Sequence, residues 1–285
     1  MSPAASERAP RTPAWVYSYR EHGYAVIPDV LPIPALERVA TDMHALYGAQ
    51  LARRGVAGVR RAGERALLAN MERLLATDRS LYLTTTRHAA KLASLQSLVV
   101  SEAVLALPRL LGMQAVTIPT APVLHVMAET LRIEGGYHGV STHQDWPVVQ
   151  GALDAMTMWF PLFEVTARTF PLEVIPGSHR RGVWPGRITE QTAEIDPSSC
   201  ADSDFVAVSV PRGSLLVFNG FVVHRSTRVD QCQGLRIAAS MRYENSLEPT
   251  FVEREWPCTY LRTVRRENLH PGFPSAEQVR LALSS

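Results

Sequence analysis

Along the first third of the chain apolar residues recur at steps of three and four, and beyond residue 116 they gather into short runs separated by Pro and Gly. From Pro34 onward Leu36, Val39, Met43, Leu46 and Tyr47 fall on one stripe. A helix with about 3.6 residues per turn returns a side chain to the same face at those steps, so the spacing predicts a helix with one buried side. Pro34 suits its first turn, where a missing N–H loses no partner. Leu67, Leu68, Met71, Leu74 and Leu75 repeat the pattern. A third helical stretch is expected from about 88 to 111, interrupted at Pro108 and stopped by Gly112. From Val116 the texture turns to β, punctuated at Pro119, Gly135-Gly136, Pro147, Pro161, Pro176-Gly177 and Pro211. Helices first and short strands afterwards is the order of a helical layer packed against two antiparallel sheets. The expected fold is mainly β with flanking helices: a double-stranded β-helix (jelly roll, cupin-like) core with an N-terminal helical layer. No internal repeat is visible.

Length and composition narrow this picture. A chain of 285 residues with 46% hydrophobic content can bury a large core, and jelly rolls of this size form one domain. The expected organisation is a disordered leader over 1–13 and a single domain over 14–285. Within it, the helical layer spans about 34–112, the jelly-roll core about 116–245 and a C-terminal extension 246–285. A net charge of +2 demands neither nucleic acid nor an anionic membrane as partner. Lys91 is the only lysine, so the positive charge is almost wholly arginine. Cys200, Cys232 and Cys258 are odd in number and form no Cys-x-x-Cys pair, which points away from a disulfide framework or a thiolate zinc site. No signal-like apolar stretch and no run of about 18 apolar residues stands out, so a cytoplasmic protein is expected.

Candidate chemistry centres on Thr142-His143-Gln144-Asp145-Trp146. Side chains at i and i+2 of a strand share a face, so His143 and Asp145 can converge on one ion. His224 closes the apolar run 213–224, which is broken by a turn at Asn219-Gly220. Two imidazoles and one carboxylate, without thiolate, suit a non-haem Fe(II) ion with three coordination positions left open. Taken alone, a His and an Asp two apart arise often by chance, and a solvated or core-satisfied pair is the plain reading.

Four blocks of sequence carry a resemblance to one family. Tyr19-Arg-Glu-His-Gly-Tyr-Ala-Val-Ile-Pro-Asp-Val-Leu31, Thr142-His-Gln-Asp-Trp146, Pro171-Leu-Glu-Val-Ile-Pro-Gly-Ser-His179, and His224-Arg-Ser226 followed by Arg236-Ile-Ala-Ala-Ser-Met-Arg-Tyr243 occur in order. Together they resemble the phytanoyl-CoA dioxygenase-like branch of the Fe(II)/2-oxoglutarate oxygenases. The resemblance implies His143, Asp145 and His224 as iron ligands and Arg236 as the anchor of the far carboxylate of 2-oxoglutarate. A planar guanidinium suits that carboxylate because it donates two parallel hydrogen bonds. It further implies Ser226 and Trp159 beside the same cosubstrate, and Thr130 near its keto-acid end. The chain departs from the family in two places. Val229 stands where an asparagine is usual, with Arg236 one residue late, and Ala167-Arg-Thr-Phe170 replaces an acidic, Gly-containing turn.

The implied activity is oxidation of an unactivated carbon of a small molecule, with Fe(II), 2-oxoglutarate and dioxygen consumed together and succinate and carbon dioxide as coproducts. Halogenating relatives carry Gly or Ala in place of Asp145, so hydroxylation is favoured, with desaturation, ring formation and epimerisation left open. Two other classes stand beside this one: a cupin-like metal enzyme that uses no keto acid, and a non-catalytic jelly-roll binding protein. Oligomeric state and substrate are open. The cluster Arg53, Arg54, Arg60, Arg61 and Arg65 reads as a solvated helix end. His179 reads as a hydrogen-bonding residue at a hairpin, and Met156 and Met158 as core filling. His125 and His138 lie upstream of the ligands and could face the pocket, but a lone histidine on a strand is more often a satisfied core or surface residue, and their roles stay open.

Overall fold

The computed structural model describes residues 12–254 apart from 62, 134–138, 190–191 and 228–231. Most of the expected leader, the extension beyond 254, His138, Cys258 and Val229 therefore lie outside the described residues.

Six helices precede most of the strands: α1 (Ala14–His22), α2 (Ile33–Arg53), α3 (Glu64–Thr77), α4 (Arg79–Ala89), α5 (Ala93–Val99) and α6 (Glu102–Leu110). The predicted stripe of α2 holds, with Leu36, Val39, Met43 and Tyr47 buried, and α3 buries Leu67, Met71 and Leu74. The stretch expected from 88 to 111 is instead three helices beginning at Arg79. Asp78 opens the first of them by accepting the Leu81 N–H at 2.9 Å, an N-cap that satisfies a donor the helix leaves free. Pro108 lies inside α6, close to its end. The helix α1 lies before the expected layer and leads into β1 (Tyr24–Ile27).

The first sheet runs β1, β10 (Leu215–Asn219), β5 (Met156–Pro161), β12 (Arg236–Asn245). On its far side β12 pairs with β3 (Val123–Met127) and, at its other end, with β2 (Val116–Thr117). The second sheet runs β7 (Gly186–Ile188), β8 (Ala193–Ile195), β4 (His143–Gln144), β11 (His224–Ser226), β6 (Leu172–Val174), β9 (Val206–Val208). Short helices α7 (Trp146–Val149) and α8 (Pro249–Glu253) complete the regular structure. All these strand pairs are antiparallel.

Alternation along the strands divides the first sheet between two cores. Met156, Met158 and Phe160 of β5, Leu215 and Val217 of β10, and Ile237, Ala239, Met241 and Tyr243 of β12 pack against the helical layer. Trp159, Leu216, Phe218 and Ala238 face the other way and meet Leu172, Val174 and Val208 of the second sheet. Every inward position of β12, including Arg236, Ser240 and Arg242, therefore belongs to the space between the sheets.

Gly23 joins α1 to β1 at φ +83 and donates its N–H to the Tyr19 carbonyl at 2.8 Å, the left-handed C-terminal stop that glycine makes without steric cost. A Cβ there would lie 2.5 Å from His179 Nδ1 and 2.6 Å from Val222 Cγ2. Gly23→Ala is expected to destabilise the protein by roughly 1–3 kcal/mol or more; an unchanged urea midpoint would contradict this.

Candidate active site

Neighbouring strands set the first two site residues side by side. In the pairing of β4 with β11, His143 lies directly opposite His224, and residues opposite one another across an antiparallel pair share a face. The imidazole centroids are 4.0 Å apart. Gln144, pointing the other way, pins β4: its amide donates to the Gly182 and Phe221 carbonyls at 2.8 and 2.6 Å and accepts the Trp184 N–H at 2.9 Å.

Asp145 departs from the strand geometry that its spacing predicts. The strand ends at Gln144, and Asp145 adopts helical dihedrals (φ −74, ψ −40) at the start of α7. Its carboxylate still turns toward the histidines, with Oδ1 3.8 Å from His143 Nε2. Ligand atoms of His143, Asp145 and His224 all lie within 4.8 Å of one another, and all three residues are buried.

Hydrogen bonds fix which ring nitrogen faces inward. His143 Nδ1 lies 2.7 Å from the Ser141 carbonyl and His224 Nδ1 lies 3.0 Å from the Val222 carbonyl. A carbonyl only accepts, so each Nδ1 carries the proton and each Nε2 offers a lone pair. Burial pushes the His143 pKa down to about 3, assisted by the neighbouring His224, and burial likewise lowers His224. Burial alone would raise the Asp145 carboxyl, but the Arg242 guanidinium, then His224 and His143, hold it below the usual carboxylate range. Two neutral imidazoles and an ionised carboxylate are the donor state a divalent cation requires.

A second group gathers at the start of β12. Arg236 is 1% exposed; it donates Nη1 to the Phe170 carbonyl at 2.6 Å and Nη2 to Ser226 Oγ at 3.4 Å. Its guanidinium carbon sits 5.7 Å from the Trp159 ring centre. The unusual loop 167–170 thus supplies an acceptor to this arginine through Phe170, itself at φ +55 and fully buried. The Trp159 indole N–H is buried and meets no acceptor among the described residues. A buried guanidinium beside an orphaned donor fits a carboxylate ligand.

Of the residues expected at the site, His143, Asp145, His224, Arg236, Ser226 and Trp159 come together, and Thr130 does not. After β3 the chain turns through a 3-10 segment, Glu129–Leu131, and the exposed Thr130 hydroxyl donates to Glu72 of α3. This corrects the expected placement of Thr130 near the keto acid. His125, read from sequence as a core or surface residue, lines the cavity with Nε2 3.0 Å from Ser240 Oγ. Burial, followed by the Arg236 and Arg242 charges, holds it neutral. His179 is structural, bonding the Arg20 carbonyl at 3.3 Å. Two residues escaped sequence reasoning. Thr157 donates to Asp145 Oδ2 at 2.7 Å and Arg242 to Asp145 Oδ1 at 2.9 Å. Their signal was strand parity: Arg242 lies six residues beyond Arg236 and Thr157 two before Trp159. A larger cavity of about 840 Å³, lined by Thr142, Arg187, Asp196, Phe205 and Arg225, opens elsewhere; Thr142 and Arg225 alternate with the histidines and face away from them.

A profile of the phytanoyl-CoA dioxygenase (PhyH) family matches residues 19–230. The chain belongs to the phytanoyl-CoA dioxygenase family. No curated protein matches it. Among solved structures, the non-heme monooxygenase ThoJ in its apo form is similar with a TM-score of 0.54 at 19% identity, covering 81% of this chain and 77% of that one. AviO1 from Streptomyces viridochromogenes Tue57 gives 0.53 at 18% identity, covering 85% and 99%. The nickel complex of ThoJ gives 0.51 at 17%, covering 81% and 77%. At such identities these neighbours establish the fold alone.

The family and the His-Asp-His triad make this protein an Fe/2-oxoglutarate-dependent oxygenase, with iron and 2-oxoglutarate as cofactors. The donor set agrees, since nitrogen and oxygen ligands without thiolate suit Fe(II). His143→Ala and Asp145→Ala are each expected to lose stoichiometric Fe(II) binding in anaerobic titration while keeping the far-ultraviolet circular dichroism of the fold. A pH dependence follows as well. The unfolded chain takes up protons on these imidazoles below about pH 6.5, whereas the folded chain resists them. Metal-free protein should therefore lose thermal stability as pH falls from about 6.5 toward 3. His143→Gln should flatten that fall, and an equally steep profile would speak against neutral buried imidazoles.

Proposed function

We propose that this oxygenase hydroxylates an unactivated carbon of a small-molecule metabolite, with one oxygen atom of O₂ entering the product and the other entering succinate as carbon dioxide leaves 2-oxoglutarate. The observation that carries this reading is the pairing of two sites within one inter-sheet space. The triad of His143, Asp145 and His224 stands with the buried Arg236, Ser226 and Trp159 group, and His143, His224, Ser226 and Trp159 line the same cavity.

In this mechanism His143 and His224 present Nε2 and Asp145 presents a carboxylate oxygen to the iron, which supplies dioxygen activation and hydrogen abstraction when bound. Arg236 would hold the far carboxylate of the keto acid through its buried guanidinium. Ser226 steadies that guanidinium, and Trp159 offers its indole N–H and an aromatic face to the cosubstrate. Val140, Leu172 and Phe218 line the cavity with apolar surface, which keeps water from a reactive centre and strengthens the electrostatic contacts inside it. His125, held neutral, adds a polar contact without adding charge. Residues 14–285 are proposed to work as one domain. No single helix among the described residues is long and apolar enough to cross a membrane, and the free thiol of Cys200 suits a reducing cytoplasm.

The test is anaerobic loading with Fe(II) and 2-oxoglutarate, then exposure to O₂ with a panel of small metabolites while succinate is measured. Succinate formation that depends on iron and is accelerated by one compound supports the reading; metal locked in a closed four-ligand cage with no keto-acid turnover would refute it. Arg236→Lys should raise the 2-oxoglutarate concentration for half-maximal turnover by roughly tenfold or more, because one buried charge-assisted bond is lost. An unchanged value would remove Arg236 from that role.

A further inference from the structure

The third iron ligand lacks the support that the two histidines have. His143 and His224 are aimed by their strands and by carbonyls two residues upstream, whereas Asp145 sits on a helical turn after β4 has ended. A carboxylate torsion is broad and roughly two-fold by itself. Something outside its own segment must choose its plane.

Two adjacent strands of the opposite sheet do so. Thr157 of β5 and Arg242 of β12 are direct cross-strand partners, so both point into the inter-sheet space at the same level. Thr157 Oγ1 donates to Oδ2 at 2.7 Å and Arg242 Nη2 donates to Oδ1 at 2.9 Å, so each carboxylate oxygen has one donor. The guanidinium is itself tethered: Nη1 donates to Ser240 Oγ at 3.0 Å, and that hydroxyl also meets His125 Nε2 at 3.0 Å. Both side chains of the ion pair are largely shielded, at 13% and 7% exposure, which makes the contact geometrically stiff compared with a surface pair. Oδ1, the oxygen that Arg242 holds, is also the one 3.8 Å from His143 Nε2.

We propose that Arg242 is a positioning residue for the metal site, acting with Thr157 to fix which oxygen of Asp145 faces the imidazoles and so setting how tightly a divalent cation is held. Its role differs from that of Arg236, six residues earlier on the same face, which serves the cosubstrate. Charge and orientation make opposite demands on the metal. A guanidinium this close to a cation repels it, so if charge were the dominant effect its removal would tighten binding. If orientation dominates, removal weakens binding, as loss of the groups that aim metal ligands does.

The inference rests on the triad being the iron site, and the experiment separates the two. Co(II) and, anaerobically, Fe(II) are titrated into wild type, Arg242→Met, Arg242→Gln, Arg242→Lys and Thr157→Val, without 2-oxoglutarate. Wild type that binds neither metal refutes the site itself. Given wild-type binding, Arg242→Met and Thr157→Val are each expected to weaken affinity by roughly 10–100-fold. Arg242→Gln and Arg242→Lys, which retain a donor, should fall between. The Co(II) absorption bands should change in Thr157→Val, a readout of ligand geometry that a role confined to stability would not move. At saturating metal, Arg242→Lys should keep its half-saturating 2-oxoglutarate concentration within about twofold. Unchanged or tighter metal binding in Arg242→Met overturns the proposal; if that variant does not fold, the same result in Arg242→Gln does so.

Discussion

The in-register pairing of β4 with β11 is the constraint from which the site follows. It sets His143 opposite His224 across one step of a sheet, so two ligands from distant stretches of chain reach one point without help from any loop. Sheet geometry also hides the cost of burying them. Each imidazole donates its Nδ1–H to a carbonyl two residues back, just before its own strand begins, and a buried ring with a satisfied Nδ1 is tolerable where an unsatisfied one would not be. The carboxylate has no such local partner, and its two donors come from the facing sheet. The centre is therefore held by both sheets at once, and separating them would scatter it.

The same alternation that aims the ligands also builds the rest of the molecule. Odd-numbered positions of β12 from Ile237 to Tyr243 anchor the helical layer, while Arg236, Ser240 and Arg242 take the polar duties between the sheets. Slipping β12 by one residue would exchange these sets, placing two guanidinium groups in the helix-packed core and four apolar side chains in the cavity. Core packing thus enforces site geometry. Charges in the cavity depend on one another for a related reason: the Arg242 guanidinium holds the Asp145 carboxyl low against the effect of its burial, and His125 is neutral because burial and two arginines oppose its protonation.

Some of this was legible in the chain. The stripes of α2 and α3 show because one face of each is apolar and the other polar, a contrast that periodicity detects. The single helix that the pattern predicts over about 88–111 begins nine residues late and covers what are three helices over 79–110. Its breaks around residues 90–92 and 100–101 carry no Gly or Pro, and the capping of Leu81 by Asp78 is a short signal easily passed over. The helix α1 was missed because it is short and buries only Val16 and Tyr19. Thr130 was misplaced because a polar residue after a strand gives no sign of which layer its turn approaches; the turn goes to α3 and Glu72. Arg242 and Thr157 stood in plain view at even spacings from Arg236 and Trp159, but parity assigns a face and says nothing about depth or partner.

The sequence by itself determined the chemistry of the centre, because ligand types, strand parity and the order of motifs are properties of the chain: two imidazoles, one carboxylate, and an arginine on the strand that follows. Only the tertiary structure decided how those groups are aimed. Asp145 lies on a helical turn where its spacing implied a strand, and the direction of its carboxylate is set by Thr157 and Arg242 on other strands. Orientation of a buried polar group depends on its hydrogen-bond partners, and those partners are chosen by sheet register and layer packing, which no local stretch of sequence encodes.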